Sequence, residues 1–370
     1  MHITRIALQD FRNYSSWTIE PDRRLTILTG PNATGKTNAI EAVRLLTAGS
    51  SFRGARWEDL VRHGCGFAQA EMRAEGDQRL IEIGVSIEDG GRHAFTVNGK
   101  PARSGRGVTG IVPSVVFTPD DLSMVKGPAE GRRREVDELG EQLSAAYGTL
   151  RREYDRVVRQ RNRLLKEDHI AAAEMESWDE QVVTLGSRLR VHRARLIGRL
   201  AEASVPVHGR ICPGEGLEIR YVAGPTEARR TVGPDATKED EADVLRGELE
   251  SRRSDERARA TTLAGPHRDD VEFSVQGKPA RSFASQGQQR TIVLSWKLAE
   301  LAVVEEVTGG EAILLLDDVM SELDSERRRS LTAEVGERVQ TIVTTTNTGY
   351  FDAAVLAEAL VVPIERTTGS

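Results

Sequence analysis

The sequence predicts an α/β protein into which a helical segment is inserted. A glycine-rich loop, residues 30–37, lies between an apolar β-rich run and a helical pattern. A second apolar run, residues 313–316, ends in two acidic residues, which is typical of a buried parallel strand. Residues 129–205 are helical in pattern, rich in charge and free of proline. We therefore expect a discontinuous α/β domain over residues 1–128 and 206–370, with a helical arm over residues 129–205.

Length and composition limit the classes of protein that the chain can belong to. Its 370 residues, 38% of them hydrophobic, are too many for one ordinary core and predict two or three lobes. No run of about eighteen apolar residues occurs, so no membrane span is expected. Residues 1–5 lack a signal-peptide pattern, and Cys65 and Cys212 lack metal-ligand spacing, which predicts a cytoplasmic protein with free thiols. The net charge of −6 argues against a general nucleic-acid coat but allows local DNA-binding patches.

Apolar periodicity predicts the secondary structure around the arm. Before it, strands are predicted at residues 3–8, 16–19, 25–29, 68–72, 80–87, 93–97 and 115–118, with a helix that ends near residue 48 and a short helix at 57–61. After it, strands are predicted at residues 217–222, 271–275, 313–316 and 341–343, with a loop at 224–243 and helices at 242–258 and beyond residue 289.

The arm is predicted to consist of two long helices that fold back on each other. The second of them covers residues 182–203, and no sustained heptad pattern indicates a long coiled coil. Basic residues dominate the stretch 151–166, where Arg159, Arg161 and Arg163 are candidates for contacts with DNA phosphates. The alternative is that these arginines belong to solvated helix faces.

One sequence similarity is internal to the chain. Residues 95–104 closely match residues 273–282, and both contain an X-Gly pair between short β-rich runs. No longer repeat period extends from it, which excludes a solenoid. We interpret the match as two similar hairpin turns, and an old duplication is the alternative.

The loop at residues 30–37 fits the P-loop pattern G-x-x-x-x-G-K-[ST]. Gly30 and Gly35 allow the backbone N–H groups to converge, and the following helix adds its positive N-terminal end. Lys36 is expected to reach the β- and γ-phosphates of ATP, and the Thr37 hydroxyl to bind Mg²⁺. The predicted ATP-binding residues of the loop are Gly30, Pro31, Asn32, Ala33, Thr34, Gly35, Lys36 and Thr37.

A second catalytic element ends the apolar run at residues 313–316. Asp317 follows that run in a Walker B pattern and is expected to hold Mg²⁺ opposite Thr37. Asp318 is then placed to orient or activate water. With Lys36, these two acids are the predicted catalytic residues.

Three further motifs separate the chain from ordinary P-loop proteins. Ser285, Gln286, Gly287 and Gln288 open a predicted helix, where a hydroxyl and free N–H groups can meet phosphate. This pattern resembles the signature motif of ABC-type ATPases. Residues 321–324, which end in Asp324, resemble their D-loop, and Thr344 and Thr345 stand where that superfamily has its switch residue.

Several short stretches along the whole chain resemble one family in particular. This is the RecF family, whose members are SMC-like ABC ATPases. The matching stretches are residues 10–14, 117–122, 265–270, 285–290 and 317–324. The fold implied is an ABC-type (SMC-like) ATPase head with a P-loop sheet and an inserted helical arm. The resemblance also implies that Arg12, in the first of these stretches, contributes to ATP binding.

The function implied is that of a recombination mediator. The resemblance implies that ATP drives formation of a homodimer, which binds single- and double-stranded DNA at gaps and junctions. It also implies weak, DNA-stimulated ATP hydrolysis that resets the protein. The implied partners are RecR and RecO, and indirectly RecA, which they help to load. In such a dimer the signature motif of one copy would face the P-loop of the other. The implied location is the cytoplasm, in association with the nucleoid.

Three departures from the wider superfamily qualify this resemblance. No glutamine follows the predicted strand at 115–118, so the residue that replaces the superfamily's Q-loop glutamine is unassigned. Asp318 stands where many members have glutamate, and threonines stand where many have histidine. The last two differences predict poorer activation of water. We therefore expect slow ATP hydrolysis, as in a molecular switch, and not the fast turnover of a motor.

Two other functions fit a P-loop and remain as alternatives. A transporter-type ABC ATPase subunit is disfavoured by the arm, by residues 11–14 and by the threonine switch, and a pull-down with membrane components would test it. A P-loop kinase or metabolic enzyme is disfavoured by the signature motif, and ATP-dependent dimerisation in light scattering would test it.

Overall fold

The described part of the chain divides into two compact units. A computed structural model describes residues 1–76, 78–102, 105–169, 171–224 and 229–365, with the backbone alone at residues 334–338. The first unit consists of residues 1–122 and 300–370, and the second of residues 123–299.

A five-stranded parallel sheet forms the base of the first unit, in the order β15-β3-β14-β13-β8. Its strands are β3 (Leu25–Thr29), β8 (Ser114–Phe117), β13 (Ile313–Asp317), β14 (Thr341–Thr345) and β15 (Leu360–Pro363). The three strands β8, β13 and β14 are buried throughout, as the continuous apolar run of β13 predicts for that strand. Asp317 lies opposite Thr344 in the register, so both side chains stand at the carboxyl edge of the sheet.

A six-stranded antiparallel sheet completes the first unit, in the order β2-β1-β4-β5-β6-β7. Its strands are β1 (His2–Phe11), β2 (Tyr14–Ile19), β4 (Phe67–Gly76), β5 (Arg79–Glu88), β6 (His93–Val97) and β7 (Lys100–Ala102). One apolar core joins residues of both sheets to the buried face of α1 (Lys36–Ala48). A 3-10 helix, Trp57–Leu60, α8 (Ser325–Arg338) and α9 (Ala353–Glu358) also belong to this unit.

The second unit contains helices and a small antiparallel sheet, in the order β10-β9-β11-β12. The helices are α2 (Ala129–Leu143), α3 (Ala145–Leu164), α4 (Ala172–Ile211), α5 (Lys238–Arg259) and α6 (Ala280–Phe283). The strands are β9 (Leu217–Ala223), β10 (Arg230–Thr231), β11 (Asp270–Val275) and β12 (Lys278–Pro279). Helix α7 (Gln286–Thr308) begins in this unit and ends in the first.

The division of the chain differs from the predicted arm at residues 129–205. Helix α4 continues through Pro206, although that proline cannot donate a hydrogen bond to the preceding turn. Helix α5 then supplies Leu245 and Leu249 to the same core as Tyr154 and Val182 from the predicted arm. Residues beyond 205 therefore complete the core that buries the arm helices, and they belong to the same unit.

Most predicted elements are confirmed within a few residues. The parallel strand β3 and helix α1 have the predicted bounds, whereas the loop predicted at 224–243 contains β10 and the start of α5. The two similar segments both form hairpins, with Asn98 and Gln276 in the left-handed conformation at φ 50° before a glycine. Part of the first segment, residues 103–104, lies outside the described residues.

A buried ion-pair network occupies the second unit. Arg190 is fully buried and donates to Asp269 Oδ2 at 2.9 Å and to Glu248 Oε2 at 2.7 Å. Asp269 also accepts from the Tyr221 hydroxyl at 2.6 Å and from the Gly224 N–H at 3.3 Å. Burial alone would lower the pKa of Arg190, but Asp269 and Glu248 raise it well above its usual value. The network therefore keeps a charged guanidinium inside the unit.

Substitution of Asp269 is expected to destabilise the protein. Asp269→Ala removes the carboxylate but leaves Arg190 buried, so the free energy of unfolding should fall by about 3 kcal/mol. Urea unfolding followed by far-UV circular dichroism measures the change. Asp243→Ala is the control, because its ion pair with Arg246 is exposed and its loss should barely move the midpoint. Equal midpoints for the two variants would contradict a structural role for Asp269.

Candidate nucleotide site

The P-loop follows β3 directly and has the backbone that its glycines allow. Gly30, Ala33 and Gly35 have φ of 158°, 64° and 109°. A Cβ added at Gly35 would lie 2.3 Å from Nδ2 of Asn13, and the positive φ also disfavours any residue with a side chain there. Helix α1 then begins at Lys36, which places its N-terminal N–H groups beside the loop.

Lys36 is a nearly buried cation that has only carbonyl acceptors. Its ammonium donates to the carbonyl oxygens of Gly30 and Pro31, each at 2.7 Å, and the residue is 6% exposed. Across the described ranges, no carboxylate lies within ion-pair distance of Lys36. Burial lowers the pKa of Lys36, whereas Asp318 and Asp317 oppose that shift. The charge is therefore available to an anion that enters the loop.

Asp317 joins the P-loop to the neighbouring strand. Its Oδ1 accepts from the Thr37 hydroxyl at 2.8 Å and from the Thr344 hydroxyl at 2.7 Å. These contacts place Thr37 and Asp317 as two adjacent oxygen donors of the kind that Mg²⁺ prefers. No group of three or more His, Cys, Asp or Glu side chains in the described residues could hold a metal ion. The Thr37–Asp317 pair would suit a metal ion that arrives with a nucleotide and takes further ligands from its phosphates.

Asp318 stands beside this pair with an unusual backbone and an unpaired oxygen. Its φ is 53°, and its N–H donates to the Thr344 hydroxyl at 2.9 Å. Its Oδ1 is buried and has no hydrogen-bond partner among the described atoms. Burial raises the pKa of Asp318, Lys36 lowers it, and Asp317 raises it further. A carboxylate with a raised pKa and a free oxygen is a stronger base than an ordinary aspartate.

Arg12 is anchored by an ion pair with Glu41 of α1. Its guanidinium donates to both carboxylate oxygens of Glu41, at 2.9 and 2.8 Å, and to the Asp59 carbonyl at 2.8 Å. Each guanidinium nitrogen therefore donates one hydrogen bond within the protein, and a direct role of Arg12 in ATP binding remains a prediction. The loop is contacted instead by Asn13 and Tyr14, whose roles the sequence analysis missed although both lie in the stretch that it singled out.

The signature motif opens α7 as predicted. The Ser285 hydroxyl accepts from the Gln288 N–H at 3.2 Å, and the Ser285 N–H donates to Gln288 Oε1 at 2.9 Å. This reciprocal pair is a capping box, which fixes the start of a helix. Ser285 and Gln286 are exposed, and Gly287 and Gln288 are half-buried. Their position opposite a partner's P-loop remains a prediction.

The D-loop and switch residues have local partners. Asp324 accepts from the Arg327 N–H at 2.9 Å and caps α8, and this bond and the Arg327 charge lower the pKa of Asp324. Thr344 links Asp317 to the backbone of Asp318, while the Thr345 hydroxyl donates to the Asn347 carbonyl at 3.1 Å. Thr344 is therefore the threonine that meets the Walker B acids.

The prediction that Arg161 contacts DNA is wrong. Arg161 is 1% exposed, and its guanidinium donates to Glu256 Oε2 at 2.6 Å and to Asp179 Oδ1 at 2.7 Å. Its charge is satisfied inside the second unit, so it is unavailable to a phosphate. Arg159 and Arg163 are exposed on the same helix, and their contact with DNA remains a prediction.

A Walker B carboxylate bonded to the P-loop threonine is typical of nucleoside-triphosphatases. The capped helix that begins with the signature motif is typical of the ABC type among them. The fold and site define an SMC-like ATPase head of the ABC type. The family model for the RecF/RecN/SMC N terminal domain matches residues 2–367. The chain belongs to the RecF family.

Curated relatives match this chain over nearly its full length. It is 39% identical over 375 residues to the DNA replication and repair protein RecF of Synechococcus sp. (strain JA-3-3Ab), covering 99% of this chain and 97% of the relative. It is 41% identical over 350 residues to the protein of the same name from Symbiobacterium thermophilum, covering 94% and 92%.

Solved structures agree with the family. The recombination mediator protein RecF with ATP, from the RecFOR pathway, is 29% identical and has a TM-score of 0.86 over 95% of this chain and 93% of that one. An Smc head bound to the C-winged helix domain of ScpA is 15% identical with a TM-score of 0.56, over 98% and 94%, and shares the fold. In the described ranges, no helix has the length and apolar character to cross a membrane.

Neutralising Asp318 is expected to stabilise the nucleotide-free protein. Because the pKa of Asp318 is raised in the folded state, its carboxylate form costs stability above the unfolded pKa, and this cost fades as the pH falls through the raised pKa. Asp318→Asn should therefore raise the melting temperature at pH 7.5, with a smaller gain at lower pH. Differential scanning fluorimetry without nucleotide measures both.

Asp324→Asn is the opposite control for this experiment. The pKa of Asp324 is lowered by its bonds with Arg327, so this substitution should lower the melting temperature at pH 7.5. A lower melting temperature for Asp318→Asn would show that the Asp318 carboxylate does not destabilise the folded protein.

Proposed function

We propose that this chain is an ATP-dependent DNA-binding protein of recombinational repair, in which bound ATP joins two copies head to head. The observation that carries the proposal is the bonding of the Thr37 hydroxyl and the Thr344 hydroxyl to one oxygen of Asp317. This contact assembles the P-loop, Walker B strand and switch strand at one edge. The relatives named for DNA replication and repair, and the RecF structures with ATP, support the same function.

Hydrolysis would use charges that already surround the loop. The Lys36 ammonium exchanges the carbonyls of Gly30 and Pro31 for phosphate oxygens. Thr37 and Asp317 would hold Mg²⁺, which would neutralise charge on the phosphates. Asp318 accepts a proton from the attacking water, whose oxygen bonds to the γ-phosphorus while the bond to the β-phosphate oxygen breaks. ADP and inorganic phosphate leave, and turnover is slow because an aspartate reaches less far than a glutamate.

The signature would act on the nucleotide of a second copy. The Ser285 oxygen accepts the Gln288 N–H, so its own hydrogen is left to donate to a phosphate oxygen. A two-fold dimer places the same two patches together twice, which gives two sandwiched ATP molecules. ATP then holds the pair closed, and hydrolysis releases it.

DNA would be bound through its backbone. Arg159 and Arg163 are exposed on α3, and no base-reading module occurs in the described part of the chain. We therefore propose binding to single- and double-stranded DNA by charge and shape at gaps and junctions. RecR and RecO, and through them RecA, are the proposed protein partners, in the cytoplasm and at the nucleoid. DNA binding would raise the slow ATPase rate of this switch.

Ser285→Arg tests the dimer directly. This change leaves the P-loop untouched, so ATP affinity of the monomer should stay within about twofold of wild type. A large cation at the facing surface should abolish ATP-driven dimerisation and hydrolysis. Sedimentation velocity with ATP, ADP or no nucleotide measures the dimer. Normal ATP-driven dimerisation of this variant would refute the trans arrangement.

A mixture of Ser285→Arg and Lys36→Ala chains sharpens this test. Lys36→Ala should not bind ATP, because it lacks the ammonium that faces the phosphates. Each mixed dimer has one intact composite site, so mixing two inactive proteins should restore part of the ATPase activity.

DNA affinity is expected to fall steeply with salt. Neutralising about six phosphates gives a log–log slope near −5 on duplex DNA. Arg159→Ala with Arg163→Ala should reduce the slope by about two if both touch phosphates. Arg246→Ala, an exposed arginine already paired with Asp243, is the matched control. Fluorescence anisotropy over a salt series measures the slopes, and identical slopes would assign Arg159 and Arg163 to a solvated helix face.

A further inference from the structure

We propose that the end of the β1–β2 hairpin, residues 10–14 and called the turn below, is a clamp that holds the P-loop in its phosphate-binding conformation. Asn13 and Tyr14 are its positioning residues, and neither is assigned a role by the proposed mechanism. The inference rests on the proposed function only in that the P-loop binds a nucleotide.

Two consecutive carbonyls of the P-loop are held by this turn. Asn13 Nδ2 donates to the Thr34 carbonyl at 2.8 Å, and the Tyr14 hydroxyl donates to the Gly35 carbonyl at 3.0 Å. In a trans peptide the C=O and the N–H of the same unit point in opposite directions. Fixing these carbonyls towards the turn therefore aims the N–H groups of Gly35 and Lys36 away from it, which is the orientation that a phosphate requires.

The Asn13 side chain is fixed at both ends. While its Nδ2 holds the loop, its Oδ1 accepts from Asn38 Nδ2 at 2.7 Å in the first turn of α1. The same amide fills the space where a side chain at Gly35 would begin. Asn13 thus joins the loop to its helix and favours glycine at position 35.

The clamp is held in a strained backbone conformation. Asp10 and Arg12 have φ of 44° and 55°, in the left-handed region, which costs about 1–2 kcal/mol for a residue such as arginine and less for aspartate. The Arg12 N–H donates to the Leu60 carbonyl at 2.8 Å, and its guanidinium pairs with the fully buried Glu41. A turn that only reversed the chain could use glycine or asparagine at these positions. The strained backbone, the ion pair with Glu41 and the two contacts with the P-loop together indicate that this turn serves to position the P-loop.

Tyr14→Phe and Asn13→Ala test the clamp. Each removes one donor to the loop and leaves Lys36, Thr37 and Asp317 intact. We expect each variant to bind ATP and ADP about tenfold more weakly by isothermal titration calorimetry. At saturating ATP, kcat should change less than threefold, because the clamp acts on binding and not on water activation. The melting temperature without nucleotide should stay within about 3 °C of wild type. Gln9→Ala is the control, since its exposed amide contacts Asp10 in the same turn but not the loop.

The outcomes separate the clamp from a structural role and from the proposed function. Wild-type affinity in both variants would overturn the clamp. A fall in affinity that appears only with a large fall in melting temperature would assign the turn to folding, and would also overturn it. A wild-type protein that binds ATP but never dimerises would refute the proposed dimer, and weaker binding in both variants would still support the clamp. A wild-type protein that binds no nucleotide would refute both.

Discussion

One carboxylate oxygen, Oδ1 of Asp317, connects the three parts of the site. The Thr37 hydroxyl donates to it from the start of α1, the helix that follows β3. The Thr344 hydroxyl donates to it from β14, which pairs with β13 in the sheet. Parallel strands bring their carboxyl ends to one edge, so this contact depends on the whole sheet being in register. The P-loop threonine, the Walker B strand and the switch strand therefore meet at this one oxygen.

Charge is used differently in the two units. Around the P-loop, Lys36 donates only to carbonyl oxygens, and Oδ1 of Asp318 has no hydrogen-bond partner among the described atoms. In the second unit, buried arginines are matched to acids, as in the Arg132–Asp270 pair at 2.8 Å and the Arg193–Asp137 pair at 2.8 Å. A buried pair adds little net stability, but removal of one partner is costly. These two pairs join α2 to β11 and to α4, whereas Lys36 near the P-loop has no carboxylate partner among the described residues.

The parts of the structure that depend on local sequence were predicted, and those that depend on distant contacts were not. The P-loop, β13 and the start of α7 follow from short motifs whose backbone requirements are local. The burial of Arg161 could not be foreseen, because its partner Glu256 is 95 residues away and a helix pattern does not show which charges are paired. The extent of the second unit, and the contact of Asn13 with the P-loop, were missed for the same reason.

Arg12 shows that a single position can face two demands that no amino acid satisfies together. Its left-handed backbone favours glycine or asparagine, whereas the bidentate contact with Glu41 requires a guanidinium. A design procedure that optimised backbone preference alone would replace Arg12 and lose the anchor of the turn. One that optimised the ion pair alone would retain arginine without recognising its conformational cost. A redesign of this ATPase head would have to fix the turn first and fit the remaining sequence around it.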